Sequence, residues 1–361
     1  MSSRVGDRLR VAYTLEQCWH DVPGGTAVAA LELAGALLSR ADIELIAVAG
    51  RHRHPPAADF VPPVRVRQLP VGRPWLYETW NRFERPRVER VTGAIDVCHS
   101  TLAIPAATAA PGVVTVHDIA FVHTPERFSR HGVRVMRRGL ERCRSAALIA
   151  CPSEVTRQHL VEVGFDSGRV RVVPWGVSIR AVDRADIDRI RANHALPDQF
   201  VLFVGTVEPR KNLTRLVEAV RRADCRLPLV VAGAAGWGAP IVDGTTTFLG
   251  YVPADELGPL YAAATVFAYP SLHEGFGMPV VEAMAYGVPV VTSRGTASEE
   301  VAASAAILVD PTDVGSIASG IDQAFDQAAA LVAAGREQAA QFSWISCADL
   351  MSAMYREAAE R

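Results

Sequence analysis

The residues best suited to chemistry lie in two short segments of the second half of the chain. In the first, His273-Glu274-Gly275-Phe276-Gly277-Met278-Pro279-Val280-Val281-Glu282 follows the apolar run 266–269. The order is strand, glycine loop, helix. Pro279 suits the first helical position, so the amides of Gly277 and Met278 point outward from the helix start and form an anion site. Gly275 and Gly277 carry no Cβ and let a ligand approach the backbone. Glu274 and Glu282 flank the loop with seven residues between them. A carboxylate accepts two hydrogen bonds side by side, so each suits a vicinal diol, one on a sugar ring and one on a ribose, with phosphate between. Taken singly, Glu282 reads as a first-turn glutamate favoured by the helix dipole and Glu274 as a solvated loop residue. The decapeptide as a unit argues for the site.

The second segment is Gly205-Thr206-Val207-Glu208-Pro209-Arg210-Lys211-Asn212, also at the end of an apolar run and before a helical pattern. Ligands of open α/β sheets sit at the carboxyl ends of strands, which is where this loop falls. Arg210 and Lys211 are placed to neutralise a diphosphate as it leaves, when negative charge on it is greatest. A solvated basic helix start is the plainer reading, but the helix dipole disfavours bases there. Among 37 lysines and arginines Lys211 is the only lysine. A compact ammonium with rotatable donors differs from the arginine fork, which gives a reason for lysine at this position.

What must position these loops is an α/β architecture, because short apolar runs alternate with helix-period segments through most of the chain. Strands are expected over 9–14, 43–49, 64–69, 95–99, 113–116, 147–151 and 170–173, and helices over 26–39, 75–91, 133–144 and 153–163. The β pattern stops between 174 and 197, where 183–191 is highly charged. It then restarts with strands over 201–205, 229–232, 247–249, 266–269, 288–291 and 306–308 and helices over 213–222, 255–264, 279–286, 314–325 and 344–359. Two domains with a cleft between them fit the length of 361 residues.

Composition excludes several classes. A net charge of −2 gives no reason to expect nucleic acid. The six cysteines include no C-x-x-C pair, against a zinc ribbon or redox dithiol, and read as buried thiols of a reducing compartment. The polar start and the lack of a roughly 20-residue apolar run lead us to expect a cytoplasmic protein.

The segments GTVEPRKN and HEGFGMPVVEAMAYGVPVV resemble those of the family-4 glycosyltransferases, whose signature is Glu-x7-Glu. Pro23-Gly24-Gly25, the VTVHD run ending at Asp118, Pro152-Ser153-Glu154 and Phe342-Ser343-Trp344 extend the resemblance over most of the chain. It implies the GT-B fold, two Rossmann-like domains facing across a cleft: an acceptor domain over 1–175, a linker over 176–196, a donor domain over 197–344, and a C-terminal helix over 345–361 returning to the first domain. It implies a retaining transfer of a hexose from a nucleotide sugar to a glycan or lipid-linked acceptor, with no metal and no resident cofactor. Arg210 and Lys211 are then expected on the diphosphate, Glu282 on the ribose and Glu274 on the transferred sugar. Phe276, Gly277 and Met278 are expected to offer amides, with Gly205, Tyr251 and Val252 also at the donor. Gly24 and Gly25 are expected near the phosphates and acceptor, and His117 facing the sugar. A His at a strand end is by itself more often structural. The HTPERF segment after VTVHD favours mannose from GDP-mannose. Trp175 stands where the family usually has asparagine.

An NAD-dependent two-domain dehydrogenase shares the domain pattern, but Gly233-Ala234-Ala235-Gly236-Trp237-Gly238 has its glycines in the wrong order for the dinucleotide turn. A sugar-binding protein, and a GT-B phosphorylase or epimerase, are further alternatives. Asp186-Ile187-Asp188 has the form of a metal-binding pair but falls in the charged linker and reads as a solvated face. The Arg-rich segments 81–90 and 133–144, read as helices, admit two readings: a solvated face, or a peripheral contact with anionic lipid on the inner face of the plasma membrane.

Overall fold

The computed structural model describes residues 8–236 and 244–361. They fall into two compact units, Met1–Gly176 with Trp344–Arg361, and Val177–Ser343. The first holds a seven-stranded sheet in the order β3-β2-β1-β4-β5-β6-β7. Its strands are β1 (Leu9–Thr14), β2 (Ile43–Ala49), β3 (Arg67–Gln68), β4 (Val97–Ser100), β5 (Gly112–Thr115), β6 (Leu148–Cys151) and β7 (Val170–Val172). Every neighbouring pair is parallel, with Val11 opposite Leu45 on one side and Val97 on the other. Strands covered on both faces need apolar residues throughout, and Val11, Ala12 and Tyr13 are all fully buried. The helices of this part are α1 (Gly24–Leu38), α2 (Trp75–Phe83), α3 (Glu89–Thr92), α4 (Ala120–His123), α5 (Arg130–Arg142) and α6 (Glu154–Glu162).

The second unit repeats the plan with six parallel strands in the order β10-β9-β8-β11-β12-β13. They are β8 (Val201–Val204), β9 (Leu229–Ala232), β10 (Thr246–Gly250), β11 (Val266–Tyr269), β12 (Val290–Ser293) and β13 (Ile307–Val309). Its helices are α7 (Arg184–His194), α8 (Leu213–Arg222), α9 (Ala254–Ala263), α10 (Met278–Ala285), α11 (Ala297–Ala302), α12 (Val314–Asp326) and α13 (Ala328–Ala339). The last helix, α14 (Trp344–Ala359), belongs to the first unit, where it packs on α1. Arg171 pairs with Glu357 at 2.8 Å, Ser352 donates to Asp42 at 3.1 Å, and Arg356 also reaches Asp42.

Several elements differ from the sequence expectation. The helix expected over 75–91 breaks into α2 and α3, because Glu84 turns left-handed (φ 52°) and Pro86 has no N–H to continue the ladder. The segment 81–90 is therefore not one helix. The strand expected over 64–69 shortens to β3. The charged stretch after residue 176 contains α7, closed by a capping box between Asp183 and Asp186 and packed on α9 in the second unit. Asp186 and Asp188 are taken up by Arg189 and Arg184 on the same helix. The helices α11 and α13 escape the sequence pattern; both are rich in alanine, which leaves no clear apolar stripe. Trp237 and Gly238 lie outside the described residues.

One buried polar bridge ties α14 to the sheet. His99 on β4 lies 2.7 Å from Thr115 Oγ1 through Nε2 and 2.7 Å from Tyr355 Oη through Nδ1. Burial first, and the neighbouring His117 ring second, push its pKa down to about 3 from 6.5. Neutral His99 thus favours the folded state fully above pH 6.5, and that contribution is lost as pH falls toward about 3. Each such unit of pH costs about 1.4 kcal/mol. The melting temperature is expected to fall between pH 7 and pH 5, as measured by calorimetry, and to fall less steeply in His99→Gln. Equal slopes would remove His99 from this role.

Candidate active site

In the second sheet β8 and β11 lie side by side, yet the connections from them run in opposite directions, to β9 on one side and β12 on the other. The loops that leave their carboxyl ends diverge, which opens the crevice where ligands of such sheets bind. After β8 comes Gly205 to Lys211, and after β11 comes Pro270 to Gly277. The two loops are hydrogen-bonded, with the Leu272 amide donating to the Arg210 carbonyl at 2.7 Å.

These loops bring Arg210, Lys211 and Glu274 together. Lys211 Nζ donates to Glu274 Oε1 at 2.7 Å and to Tyr269 Oη, and lies 4.7 Å from the centre of the Tyr269 ring. Arg210 donates to Glu274 Oε2 at 3.3 Å and to the His273 carbonyl at 3.2 Å, and pairs with Glu208 at 2.7 Å. Lys211 and Glu274 are only 7% and 6% exposed, so the reading of either as a solvated side chain is set aside. Lys211 lies in a 3-10 turn, Pro209–Lys211, and α8 begins only after the left-handed Asn212 (φ 62°). Asn212 Nδ2 holds that turn by donating to the carbonyls of Pro270 (2.9 Å) and Pro311 (2.6 Å).

Burial alone would raise the Glu274 carboxyl, but the charges of Lys211 and Arg210 outweigh it and hold the group down at about 2. Lys211 is held below its ordinary value, by burial first and by Arg210 second. Glu274 is therefore an ionised carboxylate, which only accepts hydrogen bonds.

Beside this cluster the glycine loop turns into α10. Gly277 has φ 103°, and a Cβ there would lie 2.8 Å from Ser298 Oγ, so glycine is required on both counts. The first amides to bond back are Val280 and Val281, both to the Gly277 carbonyl. The amides of Gly277 and Met278 precede that ladder and carry the positive end of the dipole. Pro279 occupies the second helical position rather than the first. Phe276 is buried edge-on against Phe342 (5.6 Å), so its side chain belongs to the core. Glu282, half-buried one turn along, accepts from Tyr261 Oη at 2.8 Å. Tyr261 in turn stacks on Tyr286 at 5.8 Å.

Gly205 lies at the end of β8, where Gly233 approaches so closely that a Cβ on Gly233 would meet the Gly205 carbonyl at 2.0 Å. Gly236 presses likewise on the Val207 carbonyl. Those glycines serve backbone packing between neighbouring loops, not a dinucleotide turn. Val252 is buried, whereas Tyr251 is 55% exposed after β10. In the first unit, Gly24 (φ 62°) and Gly25 open α1 with free space on the side where a Cβ would project, nothing lying within 4 Å of that point, and no side chain caps the helix. His117, after β5, places Nε2 2.7 Å from the Thr101 carbonyl. Nε2 must carry the proton, which leaves Nδ1 as a bare acceptor, buried and unpartnered. The ring meets Trp175 edge-on at 5.1 Å, and burial lowers its pKa.

Sequence reasoning missed Tyr261, Tyr269, Glu208 and Ser298. Tyr269 closes the strand just before the loop and Glu208 stands two residues before Arg210 in the quoted segment, so both were findable; Tyr261 and Ser298 are set by packing between distant segments. Among the described residues no group of three or more His, Cys, Asp or Glu side chains is arranged to hold a metal.

The chain matches the family model for glycosyl transferases group 1 over residues 186–341 and that for glycosyltransferase family 4 over residues 23–181. It is 35% identical to O-antigen chain mannosyltransferase B of Escherichia coli over 256 residues, which span 65% of this chain and 67% of that protein. It is 29% identical over 387 aligned positions to the D-inositol 3-phosphate glycosyltransferase of Mycobacterium tuberculosis, covering 93% of this chain and 79% of that one. Among solved structures, HepE of Anabaena in complex with UDP and glucose aligns with a TM-score of 0.73 and 19% identity over 96% of this chain and 99% of that one. Sucrose-phosphate synthase of Thermosynechococcus elongatus aligns at 0.76 and 22% over 97% and 99%.

The ion cluster predicts a titration. Glu274 contributes its full stabilisation above pH 4.5, and loses it as pH falls toward about 2. In Lys211→Met the largest charge opposing burial is gone, leaving Arg210 and the Ser271 hydrogen bond, so the Glu274 carboxyl should titrate well above its native value. Carbon-13 NMR of labelled glutamate reads this directly, and an unmoved Glu274 resonance would show that Lys211 does not set its charge.

Proposed function

The chain belongs to glycosyltransferase family 4 and is a glycosyltransferase, and from that premise we propose that it moves a hexose, mannose from GDP-mannose by preference, to a glycan or lipid-linked acceptor with retention of configuration. The observation that carries the reading is the buried Arg210–Lys211–Glu274 cluster beside the uncapped α10 amides. The preference for mannose rests on the mannosyltransferase relative.

The diphosphate would lie on the Gly277 and Met278 amides with Arg210 and Lys211 supplying cationic charge, so the reading includes no metal and no resident cofactor. Glu282, oriented by Tyr261, would accept from the ribose hydroxyls. Glu274 would accept from the sugar hydroxyls, which would take the place of some of its present donors. Gly205, Tyr251 and Val252 would line the nucleoside end. To the first unit we assign the acceptor, with the open helix start at Gly24 and Gly25 and the bare Nδ1 of His117 as the groups offered there.

The chemistry then follows from what Glu274 is unable to do. A carboxylate whose pKa is about 2, with both oxygens engaged by cations, is a poor nucleophile and a poor base at neutral pH. The acceptor oxygen forms its bond to the anomeric carbon on the face that the diphosphate leaves. The bonding pair goes to the diphosphate, and the acceptor proton passes to one of its oxygens. Arg210 and Lys211 stabilise the charge that appears as that bond breaks.

Thermal-shift assays in EDTA against nucleoside diphosphates and their sugars should show stabilisation by one base, guanine on this reading. Glu282→Ala should weaken donor binding about 10-fold, the loss of about 1.5 kcal/mol for a charge-assisted hydrogen bond. Lys211→Ala should mainly lower kcat. Stabilisation only on adding Mg²⁺, or only by NAD(H), would overturn the reading.

A further inference from the structure

Three buried polar side chains, Thr14, Gln17 and Thr101, stand at the carboxyl ends of β1 and β4 in the first unit and take no part in the two loops described above. They meet at Thr101, whose carbonyl accepts from His117 Nε2 at 2.7 Å. The Thr101 hydroxyl donates to the Thr14 carbonyl at 2.6 Å and accepts from Gln17 Nε2 at 2.7 Å, and the Thr101 amide donates to Thr14 Oγ1 at 3.0 Å. The two threonine hydroxyls lie 3.2 Å apart. Because the one proton of Thr101 Oγ1 is committed to the Thr14 carbonyl, Thr14 is the donor in that pair, and Gln17 must present its NH2 group. Each hydrogen bond in the network then runs in a single direction.

Two atoms at the ends of this network have no partner among the described residues, Gln17 Oε1 and His117 Nδ1. A buried polar atom without a partner is costly, so an amide that leaves its oxygen orphaned does so where its nitrogen is needed. Here the nitrogen is needed on Thr101. The His117 ring also meets Trp175 edge-on, at 5.1 Å with 65° between the planes. The cavity bordered by His117, Thr101 and Trp175 measures about 20 Å³, room for a single water-sized group. A hydroxyl fits there, and a swung imidazole does not.

We propose that Thr101, held by Gln17 and Thr14, is a positioning residue for His117: its carbonyl fixes the proton on Nε2 and the ring in one orientation, so that Nδ1 is presented to a substrate hydroxyl. A free neutral imidazole exchanges its proton between the two nitrogens, and each tautomer aims its lone pair in a different direction. A ring bonded through Nε2–H to a fixed carbonyl loses that freedom. A network that served only to pack β1 against β4 would account for Thr14 and Thr101 and give no reason for the orphaned Gln17 oxygen. The proposal rests on the reading that His117 meets the substrate, and adds the residues that make its Nδ1 competent.

The test is nitrogen-15 NMR of the full chain labelled at histidine, with His117 assigned from the signals lost in His117→Gln. At neutral pH the native chain should show an unprotonated Nδ1 and a protonated Nε2. Thr101→Val keeps the carbonyl but removes both hydrogen bonds of the hydroxyl, and should move the two resonances toward each other as the tautomers mix. Thr101→Ser should keep the native pattern. Melting temperature shows which variants fold, and if Thr101→Val does not, Gln17→Leu carries the same test. Release of GDP from GDP-mannose, with water in place of the acceptor, gives a second readout. Thr101→Val should lower its kcat by up to about 100-fold, the cost of misplacing a group by about 1 Å, with the GDP-induced rise in melting temperature unchanged, and Thr101→Ser should keep the native rate. Averaged nitrogens in the native chain, or unmoved resonances in the folded Thr101→Val or Gln17→Leu variant, would overturn the positioning role. A native rate in His117→Gln would instead remove the reading of His117 on which it rests, while the spectra still decide the tautomer.

Discussion

Three charged side chains, Arg210, Lys211 and Glu274, are held out of water at the carboxyl ends of two adjacent strands, and the local structure of the second unit is arranged around them. A charge in a protein interior is costly unless it is paired and hydrogen-bonded. Here each partner is satisfied more than once: Lys211 by Glu274 and Tyr269, Arg210 by Glu208, Glu274 and the His273 carbonyl. Removing any one leaves a remaining charge with fewer partners than it has in the native cluster. That mutual dependence explains why the turn before α8 is locked by Asn212 to two carbonyls on other loops, since a small shift there would separate the ions.

The same constraint accounts for the glycines. Backbones must pass close to one another where β8 and β9 end, and Gly233 and Gly236 allow it. Gly277 turns the chain with a conformation that other residues rarely adopt, and leaves room for Ser298. The strand order supplies the opening, and the glycines shape its rim. Glu282 is fixed from behind by Tyr261, so a flexible side chain is presented in one orientation. Such preorganisation is what a site acting mainly by holding two substrates and stabilising a leaving group requires.

Much of this was legible in the chain itself. The parallel sheets announce themselves as apolar runs because their strands are covered on both faces, and the two loops stand out because glycine, proline and charge fall together at strand ends. What was not legible came from contacts between distant segments. The helix expected over 75–91 failed because periodicity continued through a point where Glu84 and Pro86 ended it. The helices α11 and α13 were hidden by alanine, which marks no face. The expectation that Glu274 meets a sugar diol gave no sign that two cations already hold it. Only the folded chain brings Tyr269 beneath Lys211 and Tyr261 behind Glu282.

The central claim is that Arg210 and Lys211, with the amides of the α10 loop, form a seat for a diphosphate. Calorimetric titration of a nucleoside diphosphate and of its monophosphate, in EDTA, into the native chain and into Arg210→Ala tests this directly. The account predicts that the native chain binds the diphosphate at least about 10-fold more tightly than the monophosphate, from a charge-assisted contact of about 1.5 kcal/mol, and that Arg210→Ala narrows that difference. Equal affinity for the two nucleotides in the native chain would contradict it.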